Sequence, residues 1–241
     1  MMALRVWPTL LSDTPASNGG GASSLPLALA HLHADTAVGE TVTVRVPVPE
    51  ELVIGAGFEL AAPGVIRRVR TLADTVGPGM RVLVCGLNPS VFSADAGFGY
   101  ARAGNRFWPA AQASGLVTSI RDSVGALEVD GVGMTDLVKR ATPSASELTA
   151  EEYQAGAARV QRLVTWLQPR VVLFVGLSGW RAAIDRRAGP GWQRSGFGGA
   201  RAYVMPSTSG LNARTSRAEL EAHMGEAIRQ EGSRARKTRS V

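Results

Sequence analysis

Arg81-Val82-Leu83-Val84-Cys85-Gly86 decides the fold class, because a short, continuously apolar run that ends in glycine is typical of a strand buried on both faces. The pattern recurs at Val171-Val172-Leu173-Phe174-Val175-Gly176. Two further candidate strands are Ala202-Tyr203-Val204-Met205, which Pro206 stops, and Gly131-Val132-Gly133-Met134-Thr135. Strands of this kind belong in a parallel sheet.

Helices are predicted between these strands. Thr149-Ala150-Glu151-Glu152 is a capping box, and it precedes an apolar face that repeats at helical spacing until Pro169. A second capping box, Ser216-Arg217-Ala218-Glu219, should open a helix that runs to about Gln230, and a third helix is expected from Arg106 to Ser114. This alternation predicts a three-layer α/β/α sandwich with a short, mainly parallel central sheet.

The composition limits the classes of protein. With 241 residues and 45% hydrophobic content, the chain can form one sizeable domain with extensions. The net charge of +6 favours a polyanionic partner, either nucleic acid or an acidic membrane. The single cysteine, Cys85, excludes an internal disulfide and fits a cytoplasmic, nucleoid-associated monomer, and no signal or membrane-spanning run is evident.

Three regions are predicted. Residues 1–60 form an N-terminal extension of unknown function, partly flexible at the low-complexity stretch 17–24, with a candidate strand at 41–46 that Pro47 and Pro49 confine to a sheet edge. Residues 72–230 form the main domain. Residues 231–241 are a basic tail that should add nonspecific, salt-sensitive affinity for DNA.

Two loops follow the first and the last predicted strands of the sheet, where ligands of parallel sheets bind. The first reads Gly86-Leu87-Asn88-Pro89-Ser90 and continues to Asn105-Arg106-Phe107-Trp108. The second reads Met205-Pro206-Ser207-Thr208-Ser209-Gly210-Leu211-Asn212-Ala213-Arg214. On these loops, and on Thr135-Asp136-Leu137-Val138-Lys139-Arg140-Ala141-Thr142-Pro143, the sequence resembles the mismatch-specific uracil and thymine DNA glycosylases of the uracil-DNA glycosylase superfamily.

That resemblance implies a role for each candidate residue. Asn88 would hold the attacking water, and Tyr100 would stack on the flipped base. The base pocket would be lined by Gly86, Leu87, Ser90, Ser93 and Tyr100. Leu211 would wedge into the base stack beside Gly210, whose missing side chain would permit close approach to DNA. The remaining DNA contacts would come from Ser207, Thr208, Ser209, Asn212 and Arg214.

The sequence also departs from the family. Ser90 replaces a glycine that many relatives carry, and Leu211 replaces the arginine of the thymine-specific branch. Asp136 stands where relatives commonly have a neutral or basic side chain. It is either a second catalytic group at the carboxyl end of its strand, or a structural residue that caps a turn or pairs with Lys139 or Arg140.

The expected activity is hydrolysis of the N-glycosidic bond of mispaired uracil in double-stranded DNA, with ethenocytosine and thymine as further candidate bases. No cofactor or metal is expected, because His31, His33 and His223 are not arranged as a metal site. Two alternatives stay open: a sister glycosylase with another damaged-base preference, and a lesion-binding module without catalysis. Asn88 argues against the second.

Overall fold

The computed structural model describes residues 25–45 and 48–229. Its centre is a five-stranded sheet with the order β5-β4-β6-β8-β7. The first four of these strands are parallel, and the short strand β7 pairs antiparallel with β8. The strands are β4 (Val82–Gly86), β5 (Val132–Asp136), β6 (Val171–Val175), β7 (Gly191–Trp192) and β8 (Arg201–Met205). The predicted mainly parallel sheet is therefore confirmed.

The strands are apolar on both faces because helices cover both sides of the sheet. Every residue of β4 and β6 is buried. One face packs on α4 (Phe107–Ala113), α5 (Ser123–Glu128) and α8 (Arg217–Arg229), and the other on α6 (Ala150–Leu167) and α7 (Leu177–Ala183). This three-layer α/β/α arrangement is the fold class predicted from the sequence.

Both predicted capping boxes form. The Thr149 hydroxyl accepts a hydrogen bond from the Glu152 N–H (3.3 Å), and the Glu152 carboxylate accepts one from the Thr149 N–H (2.9 Å). Ser216 and Glu219 make the same exchange (3.2 and 2.7 Å). The predicted helix at 106–114 corresponds to α4. The pattern did not predict α5, α7 or α3 (Val91–Ala96), which have six or seven residues each and too few turns to display a period.

The N-terminal part of the chain forms a second folded unit. It contains α1 (Leu25–Asp35), β1 (Thr41–Thr43), α2 (Glu50–Gly55), β2 (Phe58–Ala62) and β3 (Val65–Arg68). Its three strands make an antiparallel sheet in the order β1-β3-β2, so the predicted edge strand is confirmed for residues 41–43. The unit continues past residue 60 because β2 needs β3 as its partner.

Some predictions lie outside the described residues, namely the low-complexity stretch 17–24, the basic tail 231–241 and the end of the strand predicted at 41–46. Within the described ranges, no helix combines the length and the apolar character that a bilayer crossing requires.

Candidate active site

The candidate residues of two loops meet at one rim of the sheet. Gly86 and Asp136 are register partners at the ends of the parallel strands β4 and β5. The backbone continues this pairing beyond the strands, since the N–H groups of Leu137 and Val138 donate to the carbonyls of Gly86 (2.9 Å) and Leu87 (2.9 Å). The two segments are therefore held side by side, as expected from the parallel sheet.

Asn88 is oriented by the segment that follows β5. Its side-chain nitrogen Nδ2 donates to the Thr142 hydroxyl (2.8 Å) and to the carbonyls of Arg140 (3.0 Å) and Pro89 (3.2 Å). These acceptors take up the donating end of the amide. The Oδ1 atom has no hydrogen-bond partner among the described residues, so it is the free acceptor that a water molecule can use.

Asp136 lies at the end of β5, next to Gly86, and has no ion-pair partner among the described residues. A side-chain carbon added to Gly86 would meet the Asp136 Oδ1 atom at 2.3 Å and the Tyr100 hydroxyl at 3.1 Å, so both groups converge on the end of β4. The alternative ion pair of Asp136 with Lys139 or Arg140 does not form, because Lys139 pairs with Asp74 (2.8 Å) and Arg140 pairs with Glu152 (2.6 Å). Its carboxylate accepts no hydrogen bond from the described residues.

Burial raises the pKa of Asp136 to about 6. The positive charge of Lys139 opposes this rise, the negative charge of Asp74 adds to it, and the positive charge of Arg159 opposes it. The pKa of the Tyr100 phenol is raised well above its usual value by burial and by the Asp136 charge, so this hydroxyl keeps its proton. Near neutral pH the site therefore contains one carboxylate and one neutral phenol.

A buried ion cluster holds the strand end that carries Asp136. Asp74 accepts hydrogen bonds from Arg159 Nη1 (2.7 Å), Lys139 Nζ (2.8 Å) and the Thr135 hydroxyl (2.7 Å). Arg159 Nη2 donates to the Asp136 carbonyl (2.7 Å) and to the Thr135 hydroxyl (3.0 Å). Burial opposes ionisation of Asp74, but Arg159 and Lys139 keep its pKa below the usual value. The cluster therefore holds the backbone of Asp136 in place.

Sequence reasoning missed this cluster. Asp74 and Arg159 are 85 residues apart, and no local motif connects them. One signal was present: Arg159 shares the buried face of α6 with Gly156, Val160 and Leu163, a position where an unpaired charge would be costly.

Tyr100 closes one side of the site. Its φ of +59° is in the left-handed region, which is uncommon for an aromatic residue. The ring stacks on Phe107 with centroids 4.0 Å apart and 15° between the planes, so only its other face is available to a base. Phe107 and Trp108 are buried core residues.

Three of the predicted pocket residues, Ser90, Ser93 and Leu87, make structural contacts. Ser90 caps α3 by accepting from the Ser93 N–H (3.1 Å), and the Ser93 hydroxyl accepts from the Ala101 N–H (3.3 Å). The Leu87 side chain points at Gly179 of α7, where an added carbon would meet it at 2.6 Å. Leu87 therefore packs in the core, and only its backbone faces the rim.

Arg106 holds the loop after β8 through hydrogen bonds to its backbone. The Arg106 guanidinium donates to the carbonyls of Ser209 (3.0 Å), Asn212 (2.7 Å) and Thr215. The backbone N–H of Arg106 donates to the Thr208 carbonyl (3.0 Å). Asn212 ties the loop further, through Nδ2 to the Ser207 carbonyl (2.8 Å). The sequence assigned Arg106 only to a helix start, and the spacing of about 100 residues hid this anchoring role.

One expected DNA contact needs correction, and a second residue also has a packing role. Thr208 is 1% exposed, so burial excludes a phosphate contact by its hydroxyl. Gly210 lacks a side chain for an internal reason, because an added carbon would meet the Gly104 carbonyl oxygen at 2.7 Å. By contrast, Leu211 is 93% exposed at the loop tip, and Arg214 is exposed and has no ion-pair partner in the described part of the chain.

Comparison with known proteins identifies the family of this chain. Residues 73–230, more than half of the chain, match the model of the Uracil DNA glycosylase superfamily. The chain belongs to this superfamily, whose members hydrolyse the N-glycosidic bond of uracil in DNA. The elements of the N-terminal unit end at Arg68, before the matched region begins.

Among solved structures, the chain is similar to a solution NMR structure from Methanosarcina acetivorans that is described as a candidate uracil DNA glycosylase. The two share 23% sequence identity with a TM-score of 0.46, and the match covers 65% of this chain and 96% of the other.

Proposed function

We propose that this protein is a monofunctional, mismatch-specific DNA glycosylase that flips uracil out of the duplex and leaves an abasic site. The observation that carries the proposal is the position of Asn88 and Asp136 at the ends of the adjacent parallel strands β4 and β5. Asn88 supplies a free amide oxygen and Asp136 an unpaired carboxylate, and the Tyr100 hydroxyl and the Asp136 carboxylate both lie near Gly86. A glycosylase needs these two groups, since water must be positioned and positive charge on the sugar must be stabilised.

The reaction is dissociative in this proposal. The bond between C1′ and the base nitrogen breaks, the base leaves with the bonding electrons, and the sugar becomes an oxocarbenium ion. The Asp136 carboxylate stabilises that cation, and Asn88 Oδ1 accepts a hydrogen bond from the water that adds to C1′. The added water passes one proton to the Asp136 carboxylate and keeps the other as the new hydroxyl, and the uracil anion takes up a proton from solvent. A lysine Schiff base is not involved, so the strand stays intact.

The same proposal assigns the binding of DNA. The free face of Tyr100 stacks on the flipped uracil, and Leu211 enters the gap that the base leaves. Ser207, Ser209 and Arg214 contact phosphates at the edge of the site. Preference for mispairs follows because a mispaired base costs less to unstack than a paired one.

Excision from labelled duplexes, followed by alkali cleavage, tests the proposal. G:U, A:U and G:T duplexes and single-stranded uracil substrate are compared under single-turnover conditions. Faster cleavage of G:U than of A:U, visible only after alkali, is expected. Excision without a difference between G:U and A:U would contradict mismatch specificity, and DNA binding without excision would favour the lesion-binding alternative.

A further inference from the structure

The segment after β5, residues 137–142, contains the acceptors that orient Asn88. One end of this segment continues from the strand, and the other is tied to the first loop by the Thr142 N–H, which donates to the Pro89 carbonyl (3.2 Å). Between these points the backbone forms neither a helix nor a strand. The position of the Arg140 carbonyl, which accepts from Asn88 Nδ2 (3.0 Å), therefore depends on what holds the middle of the segment.

The Thr71 side chain holds that middle. Its hydroxyl donates to the carbonyl of Lys139, the residue before Arg140. Thr71 is only 2% exposed, so its hydroxyl depends on this acceptor and not on water. Two consecutive carbonyls are thus bound by side chains, one by Thr71 and the next by Asn88. Because the peptide groups between them are planar, a shift of the Lys139 carbonyl also moves the acceptor of Asn88.

The N-terminal unit positions Thr71, which precedes the matched region. The Val69 N–H donates to the Gly57 carbonyl (3.0 Å), and the Thr71 N–H donates to the Val69 carbonyl (2.9 Å). Gly57 has a φ of +79°, and a side-chain carbon added there would meet the His33 ring at 2.7 Å and Thr71 Cγ2 at 2.9 Å. Close packing therefore fixes the Thr71 side chain against the turn between α2 and β2.

A second contact of the N-terminal unit reaches the buried ion cluster. The Gly55 carbonyl, at the end of α2, accepts from the Asp74 N–H (2.8 Å). A side-chain carbon added to Gly55 would meet Asp74 Oδ2 at 2.6 Å and Arg159 Nη1 at 3.2 Å. Three donors hold that carboxylate, so it cannot move away without losing one of them. Since Lys139 is one of the donors, both contacts act on the segment that orients Asn88.

We propose that the N-terminal unit is a positioning element of the active site, and that Thr71 is its positioning residue for Asn88. The inference rests on the proposed glycosylase function. Thr71 does not touch the reacting atoms and acts through the backbone of Lys139 and Arg140. Asn88 must hold the water at a fixed distance from C1′, and the acceptors at the other end of its amide set that distance. A chain that began at residue 73 would lack both contacts.

Thr71→Val is the decisive variant, because valine keeps the shape of threonine and lacks the hydroxyl. Excision is followed under single-turnover conditions on a G:U duplex, with the protein concentration varied. The maximal rate constant should fall about tenfold, while the protein concentration at half-saturation stays close to that of the parent. Thr71→Ser keeps the hydroxyl and should return the rate constant to within about twofold of the parent.

The matched control is Thr36→Val. Thr36 is also a buried threonine of the N-terminal unit, 6% exposed, and its hydroxyl donates to the Leu32 carbonyl of α1 (2.6 Å). The control should lose thermal stability as Thr71→Val does and keep the maximal rate constant of the parent. An unfolded fraction raises only the concentration at half-saturation. Equal rate constants in Thr71→Val and the parent, or equal losses in the two valine variants, would overturn the proposal.

Gly55→Ala tests the second contact, and it keeps the proposal testable if Thr71→Val fails to fold. The added methyl group displaces the Asp74 carboxylate, so the maximal rate constant should fall about threefold or more. Gly189→Ala is the control, because a carbon added to this exposed glycine meets no atom within 4 Å. A Gly55→Ala rate constant equal to that of the Gly189→Ala control would contradict positioning through α2.

Amide hydrogen exchange separates this proposal from the glycosylase proposal, because it does not require excision. The amides of Leu137, Val138 and Thr142 donate to the first loop and to the end of β4, and they should exchange at least about fivefold faster in Thr71→Val than in the parent or in Thr36→Val. A parent that shows this pattern without excising uracil would refute the glycosylase proposal alone. A parent that excises uracil, with exchange and rate unchanged in Thr71→Val, would refute the positioning role alone.

Discussion

Asn88 and Asn212 make a natural comparison, because each uses its side-chain nitrogen to tie a loop at the rim of the sheet. Asn88 reaches across to the segment after β5, where it meets Arg140 and Thr142. Asn212 stays within its own loop, where it meets Ser207 and Thr215. The first loop is thus fixed relative to Asp136, whereas the second is fixed internally and ends in an exposed leucine.

In the proposed function, this difference separates Asn88, which would hold the water, from Leu211, which would contact DNA. A water-positioning group needs a fixed distance to the reacting carbon, and the contacts of Asn88 to the segment after β5 would supply it. A side chain that enters the DNA base stack should not be packed within the protein. Leu211 is exposed, so it can enter DNA without leaving any packing contact. Each prediction below tests one side of this contrast.

The largest expected effect comes from Asn88→Ala. Single-turnover excision of uracil from a G:U duplex should fall by about three orders of magnitude, because the water loses its acceptor, while duplex affinity stays close to that of the parent. Asn212→Ala is the matched control and should keep most activity. If both variants lose activity alike, Asn88 is an anchor and not a catalytic residue.

Asp136→Asn should have the next largest effect, a fall of about two orders of magnitude in single-turnover excision. In the parent, excision should decline as the pH falls through about 6, where the Asp136 carboxyl takes up a proton. The variant should lose this decline. A pH profile shared by both proteins would assign the titration to another group.

Asp136→Asn should lower activity but raise the free energy of unfolding. Because the folded-state pKa of Asp136 is raised above its unfolded value, the ionised carboxylate destabilises the fold as the pH rises from about 4 to about 6. The variant should therefore be more stable at pH 7, by about 1–3 kcal/mol in urea denaturation. Loss of stability would mean that the carboxylate has a favourable partner.

Arg159→Gln should reduce excision about tenfold, since the Asp136 carbonyl loses its donor and the strand end loosens. The free energy of unfolding should fall by about 3 kcal/mol because Asp74 keeps only one cation. The apparent pKa of excision should rise, since Arg159 favours the ionised Asp136. Arg162→Gln, an exposed arginine of the same helix, is the control and should change neither activity nor pKa.

The smallest effect is expected from Leu211→Ala. Excision from a paired A:U duplex should slow about fivefold, and excision from G:U less, because the wedge offsets an unstacking cost that is higher for a paired base. Val129→Ala, which removes another exposed apolar side chain, should change neither rate. Equal slowing of both substrates by Leu211→Ala would remove the wedge from the proposal.

Local patterns were sufficient to predict the sheet and the caps. Continuous apolar runs marked four of its strands, and the capping boxes at Thr149 and Ser216 marked two helices, because these signals depend on neighbours a few residues away. The rim position of Asn88 and Asp136 followed from strand direction alone, since parallel strands end on one side. The short strand β7 and the three short helices carried too few residues for a period.

Long-range contacts decided the rest. The pairing of Asp74 with Arg159, the support of the second loop by Arg106, and the burial of Thr208 each join residues far apart in the chain. A sequence pattern states which residue types are present and how they alternate, but the partner of a buried charge depends on where the elements pack. For that reason the residue types of the site were readable from the sequence, whereas the state of Asp136, unpaired and with a raised pKa, was decided only by tertiary structure.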